Sequence, residues 1–148
     1  MEDLICFALY AASRSVTAVY RPLLERLHLT YPQYLVMTVL WQRGASPIKE
    51  ISGALQLDYG TLTPLLKRLE TLGYVRRERR PDDERSVIVT LTAEGEALRE
   101  QARDVPIEIT QAMGLTPEAT AVLRDTLRQI TENTAAYTAS QTRSNGSA

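Results

Sequence analysis

Cys6 is the only cysteine in the chain, and Tyr10 follows it at a spacing of four, which on a helix puts thiol and phenol on one face. A thiolate is the nucleophile toward a peroxide, and sulfenic acid is the first product, so this pair could support redox chemistry. Cysteine is also among the most commonly buried residue types, and packing remains the other reading of Cys6. No lysine or histidine lies close to it in sequence, while Glu2 and Asp3 oppose a thiolate. Activation has to come from tyrosine hydroxyls and the positive end of a helix. No arginine or threonine surrounds Cys6 as a thiol peroxidase would need, so no catalytic residue is assigned and the chain is not read as an enzyme. A lone cysteine excludes an internal disulfide framework and a multi-cysteine zinc site. The single histidine, His28, has no partner ligands in view, so neither metal nor cofactor is expected.

The second group able to do chemistry is cationic. Between Pro64 and Arg80 the chain places Lys67, Arg68, Arg76, Arg77, Arg79 and Arg80 against only Glu70 and Glu78, a local charge of +4 in a molecule whose net charge is −1. Such a cluster is either a solvated face or the footprint of a nucleic-acid site.

The elements that must position these groups follow from the apolar pattern. Ile5, Leu9, Ala12, Val16, Val19, Leu23 and Leu27 mark one amphipathic helix, with Pro22 predicting a kink or a break. Thr30-Tyr-Pro-Gln33 has the form of a capping box opening a second helix, Tyr31 to Gln42. Ser46-Pro47 reads as an N-cap with proline at the first helical position, opening a third helix to about Ala54. Asp58 caps a fourth, Tyr59 to Leu72, stopped by Gly73, and the short step between the two is that of a helix-turn-helix. Tyr74 to Arg80 and Ser86 to Leu91 alternate on either side of a polar tip, a β-hairpin. Thr92 opens a long helix to about Met113, bent or interrupted by Pro106, and Thr116-Pro117-Glu118 opens the last, with Leu123, Leu127, Ile130, Thr134 and Tyr137 along one stripe.

The fold class is therefore mainly α with a small β-hairpin wing, a winged helix-turn-helix whose N- and C-terminal helices form a dimerisation domain. Residues 1–30 and 92–138 are assigned to that helical region and 31–91 to the winged helix-turn-helix. Residues 139–148, rich in Thr, Ser, Asn and Gly, are expected to form a disordered tail. At 148 residues there is no room for a second, catalytic domain. The longest apolar run, Leu4 to Ala12, is too short to span a bilayer and lacks the flanks of a signal peptide, so a cytoplasmic protein without a membrane partner is expected.

With these elements in place the sequence resembles the MarR family of winged-helix regulators, and within it the organic-hydroperoxide-sensing OhrR branch. The family signal lies in Asp58-Tyr-Gly-Thr-Leu-Thr-Pro-Leu-Leu-Lys-Arg-Leu-Glu70, in Leu72-Gly-Tyr-Val75 and in the wing Asp82-Asp-Glu-Arg-Ser-Val87. The branch signal lies in Cys6-Phe-Ala-Leu-Tyr10, Tyr20 and Leu29-Thr-Tyr-Pro-Gln-Tyr34. The resemblance implies a homodimeric repressor on a near-palindromic double-stranded DNA operator, released when an organic hydroperoxide oxidises Cys6. It also implies that Tyr20 and Tyr31 reach Cys6 from the partner subunit. With no second, resolving cysteine, the oxidised form is of the one-cysteine type, capped by a low-molecular-weight thiol or closed on a backbone nitrogen.

For DNA, the exposed side of the fourth helix offers Thr61, Thr63, Lys67 and Arg68, hydroxyls for base edges first and cations for phosphates second. At the wing, Asp83 precedes Arg85 in an acidic-x-Arg pair that in the family resembles a device aiming the guanidinium into the minor groove; a surface ion pair is the alternative. A second hypothesis keeps the DNA-binding fold but releases it with a small aromatic or phenolic ligand, for which the seven tyrosines could line a pocket.

Overall fold

The computed structural model describes residues 4–80 and 83–146, the side chains of residues 83–85 excepted. The chain divides into two compact units, residues 1–109 and 110–148.

The first unit holds α1 (Ile5–Glu25), α2 (Tyr31–Arg43), β1 (Ser46–Pro47), α3 (Ile48–Leu55), α4 (Tyr59–Thr71), β2 (Val75–Arg80), β3 (Asp83–Leu91), α5 (Ala93–Gln101) and the start of α6 (Val105–Met113). Pro22 sits inside α1 without dividing it, and the helix ends three residues later. The chain reverses through His28, held at φ +56°, so the single histidine has a backbone role at the α1–α2 turn. At α2 the capping box forms: the Gln33 amide donates to the Thr30 hydroxyl while the Thr30 amide donates to Oε1 of Gln33. Helix α2 is the centre of the core. Val36, Met37 and Leu40 are fully buried with Leu24 of α1, Ile51 of α3, Leu62, Leu66 and Leu69 of α4, and Val75 and Val89 of the sheet.

The sheet corrects one expectation. Ser46 and Pro47 are a two-residue strand, pairing antiparallel with Val89 and Ile88 of β3, and α3 begins only at Ile48. The wing is thus part of a three-stranded sheet in the order β1-β3-β2, with Val75, Arg77 and Arg79 opposite Leu91, Val89 and Val87. A register shift lies between Arg79 and Arg80.

The long helix expected after Thr92 is two helices, interrupted ahead of Pro106, which has no N–H to offer the Ala102 carbonyl four residues back. Pro106 lies at the second position of α6, where a missing N–H is tolerated, and the chain turns at residues 102–104 just before it. In the second unit α7 (Pro117–Asn145), capped by Thr116, runs on well past Tyr137. Residues 139–145, expected in a disordered tail, are helical. The hydroxyls of Thr138 and Thr142 donate to carbonyls four residues back, so threonines that compete with a helix elsewhere stay within it here. No α7 residue is buried within the chain.

Candidate nucleic-acid interface and thiol site

Asp58 caps α4, its Oδ1 accepting from the Thr61 amide at 2.8 Å, and the Thr61 hydroxyl and amide together hold the Asp58 carboxyl below its usual range. Leu62, Leu65, Leu66 and Leu69 bury the opposite stripe. The helical repeat of about 100° per residue then orders the outward face. Lys67 stands near its middle, exposed; Thr61 and Arg68 share one edge, exposed; Thr63 lies with Tyr59 toward the other edge, half-buried. All four predicted α4 residues therefore belong to one surface. Tyr59 was not among them, although a large aromatic in the first turn of an outward face is a visible signal.

Glu70 marks which edge faces the wing. Its Oε2 accepts from the Arg77 amide at 3.0 Å, and its Oε1 accepts from Nη2 at 3.0 Å and Nε at 3.4 Å of the same arginine. This fork fastens β2 to the last turn of α4, and Arg77 holds the Glu70 carboxyl below its ordinary range. Arg77 is thereby engaged within the chain, whereas Arg76, Arg79 and Arg80 stay exposed. The predicted Asp83–Arg85 pair lies outside the described side chains.

A second fastening sits at the foot of the wing. The Thr92 hydroxyl donates to the Gly73 carbonyl, the Thr92 amide donates to the Tyr74 carbonyl at 3.1 Å, and Trp41 Nε1 donates to the Gly95 carbonyl at 3.0 Å. Gly95 permits this closeness, since a Cβ there would lie 2.0 Å from the Tyr74 carbonyl oxygen.

Cys6 is exposed on the first turn of α1. Tyr10, one turn on, is also exposed, with the Arg14 guanidinium 5.5 Å from its ring centre. Tyr20 lies elsewhere. Its ring is 4.8 Å from that of Tyr31 and 5.8 Å from that of Tyr34, at the crossing of α1 and α2. Burial, and then the neighbouring Tyr31 and Tyr34, push Tyr20 up to about 12; burial also raises Tyr31 and Tyr34. All three remain protonated donors at neutral pH. Fourteen residues of helix separate Cys6 from Tyr20, about 21 Å, so within one chain the four redox candidates fall into two pairs. Tyr34, which also meets Trp41 in an edge contact at 6.2 Å, joins the cluster without having been singled out. Its i,i+3 spacing from Tyr31 was the available signal. Beside these rings a cleft of about 330 Å³ is lined by Thr17, Tyr20, Arg21, Leu24, Leu29 and Tyr31 among others.

Residues 18–102 match the family described as transcriptional regulator SarA/Rot. The organic hydroperoxide resistance transcriptional regulator of Bacillus subtilis (strain 168) is 48% identical over 106 residues, 72% of this chain and 72% of its own. Among solved structures, reduced AbfR bound to DNA, a protein of Staphylococcus epidermidis, is 34% identical with a TM-score of 0.76 over 88% of this chain and 91% of that chain. A mutant MarR from E. coli complexed with operator DNA is 26% identical with a TM-score of 0.77, over 85% of this chain and 92% of that one.

Proposed function

Because the chain belongs to the SarA/Rot family of MarR-type winged-helix transcriptional regulators, DNA-binding proteins rather than enzymes, we propose that it is a homodimeric repressor that senses organic hydroperoxides through Cys6. The observation that supports this most is the one cysteine, exposed one turn from Tyr10, in a chain 48% identical to an organic hydroperoxide resistance regulator. Thr61 and Thr63 read base edges in the major groove, Lys67 and Arg68 hold phosphates, and Asp83 orients Arg85 toward the minor groove of a near-palindromic operator. Tyr20 and Tyr31 of one protomer, neutral phenols whose titration burial raises further, donate to the Cys6 thiolate of the other. The thiolate sulfur attacks the distal oxygen of the hydroperoxide, the O–O bond breaks, and the alkoxide leaves as the alcohol after taking a proton. Cys6 is left as sulfenic acid. A low-molecular-weight thiol then displaces water from it to give a mixed disulfide, or a backbone nitrogen does so within the chain. Either product removes the anion that the tyrosines were holding. The repressor acts on the chromosome and hence in the cytoplasm.

The test is intact mass of the protein before and after substoichiometric cumene hydroperoxide, paired with DNA-binding anisotropy. One added oxygen, or the mass of an added thiol, at Cys6 in step with loss of binding is expected. Loss of binding with Cys6 unmodified would count against it.

A second reading is supported by the cleft beside Tyr20, whose phenols and apolar walls suit a small aromatic or phenolic ligand. In that case release from DNA persists when Cys6 is replaced.

A further inference from the structure

A second cleft, of about 350 Å³, lies on the DNA side of the first unit, where α3, α4 and β3 meet. Its polar lining is Lys49 from the first turn of α3, Tyr59 and Thr63 from the first two turns of α4, and Ser86 from β3; Ile48 and Val87 form its apolar wall. None of the described residues lining it is acidic, and the nearby Asp58 carboxylate is engaged by the Thr61 amide. Lys49 and Lys67 are the only lysines in the chain, and both fall on the helix-turn-helix.

We propose that this cleft seats a backbone phosphate of the bound DNA, with Lys49 as its cation and the Tyr59 hydroxyl as a neutral donor. The inference rests on α4 entering the major groove. A helix with its side chains is about 10–12 Å across, and the groove is about 12 Å wide, so residues on the edges of the inserted helix meet the sugar–phosphate walls. Tyr59 and Thr63 lie toward the wing-side edge of α4, and the cleft opens beside them. A phosphodiester is an anion with acceptor oxygens only, which one ammonium and several hydroxyls satisfy. The site therefore adds contacts that position the protein without reading sequence.

The two lysines allow a direct test. The full-length protein is acetylated with an N-hydroxysuccinimide ester, with and without a saturating mixed-sequence duplex of about 30 base pairs, three helical turns, and each lysine is followed by mass spectrometry. Protection of both Lys49 and Lys67 by DNA is expected. Protection of Lys67 alone would overturn the seat while leaving the DNA-binding role intact; protection of neither would overturn the placement of α4 in the groove. Binding of the same duplex by Lys49→Gln should show a salt slope lower by about one, the release of one phosphate's counterion. Tyr59→Phe should weaken binding several-fold with the parent's slope, since a neutral donor displaces no ion. A Lys49→Gln protein with the parent's slope and affinity would contradict the assignment even if both variants fold normally.

Discussion

The tyrosine cluster shows how packing sets the titration of a single residue. Tyr20 sits between Tyr31 and Tyr34, and burial there favours the neutral phenol so strongly that its titration moves up to about 12. The unfolded chain, with ordinary phenols near 10, loses these protons first. Stability from Tyr20 is therefore complete below pH 10 and is lost as pH rises through about 12. Urea melts of the parent should weaken steeply across that window, and Tyr20→Phe should flatten the loss; an unchanged pH profile in the variant would deny the burial. At neutral pH the same substitution removes one donor. Oxidation of Cys6 by hydroperoxide should then slow by about tenfold or more, since a hydrogen bond to a charged group contributes about 1.5–3 kcal/mol. DNA binding should be retained.

At the level of elements, the helix caps were legible because they are local. Thr30 with Gln33, Asp58 with Thr61, and Gly73 at φ +82° each act within a few residues of themselves. What could not be read depended on partners far away in sequence. Ser46-Pro47 looks like the start of a helix by composition, and only β3, some forty residues on, makes it a strand. Pro106 announced an interruption, but which residues would leave the helix ahead of it was not legible, because a proline just inside one helix also stops the one before it. The Glu70–Arg77 fork was likewise hidden among the charges of the +4 segment. It predicts that Glu70→Gln lowers stability at pH 7 by up to about 1 kcal/mol, the scale of a partly exposed pair. The Glu70 carboxyl is depressed in the fold, so its contribution is present above its ordinary pKa and lost as pH falls through the depressed value. Parent and variant should accordingly differ in thermal melts at pH 7 and converge in strong acid.

Among the described residues, the exposed apolar groups include two sets on the terminal helices. Leu4, Ile5, Phe7 and Tyr10 are exposed on the first turns of α1, and Val122, Leu123, Leu127 and Tyr137 are exposed on α7. A 29-residue helix with nothing buried in its own chain, and apolar groups at helical spacing, calls for a second copy. Light scattering at micromolar concentration should give a dimer mass, and Leu123→Glu combined with Leu127→Glu should shift it toward the monomer. A monomeric parent would remove the means by which Tyr20 and Tyr31 reach Cys6. The site was legible in the sequence as scattered residues: α4's face was recoverable from its leucine stripe and the separation of Cys6 from Tyr20 from their fourteen-residue spacing, but the packing of Tyr20 against Tyr31 and Tyr34 needed the fold.

In the proposed function, oxidation of Cys6 is what releases DNA. Cys6→Ser changes sulfur to oxygen at an exposed position, so folding and DNA affinity should match the parent within about twofold, a change of about 0.4 kcal/mol. Titrating the DNA complexes of parent and Cys6→Ser with cumene hydroperoxide, read by fluorescence anisotropy, should release the parent and leave the variant bound at every dose up to a large excess. Dissociation of the Cys6→Ser complex at the parent's dose would contradict the account.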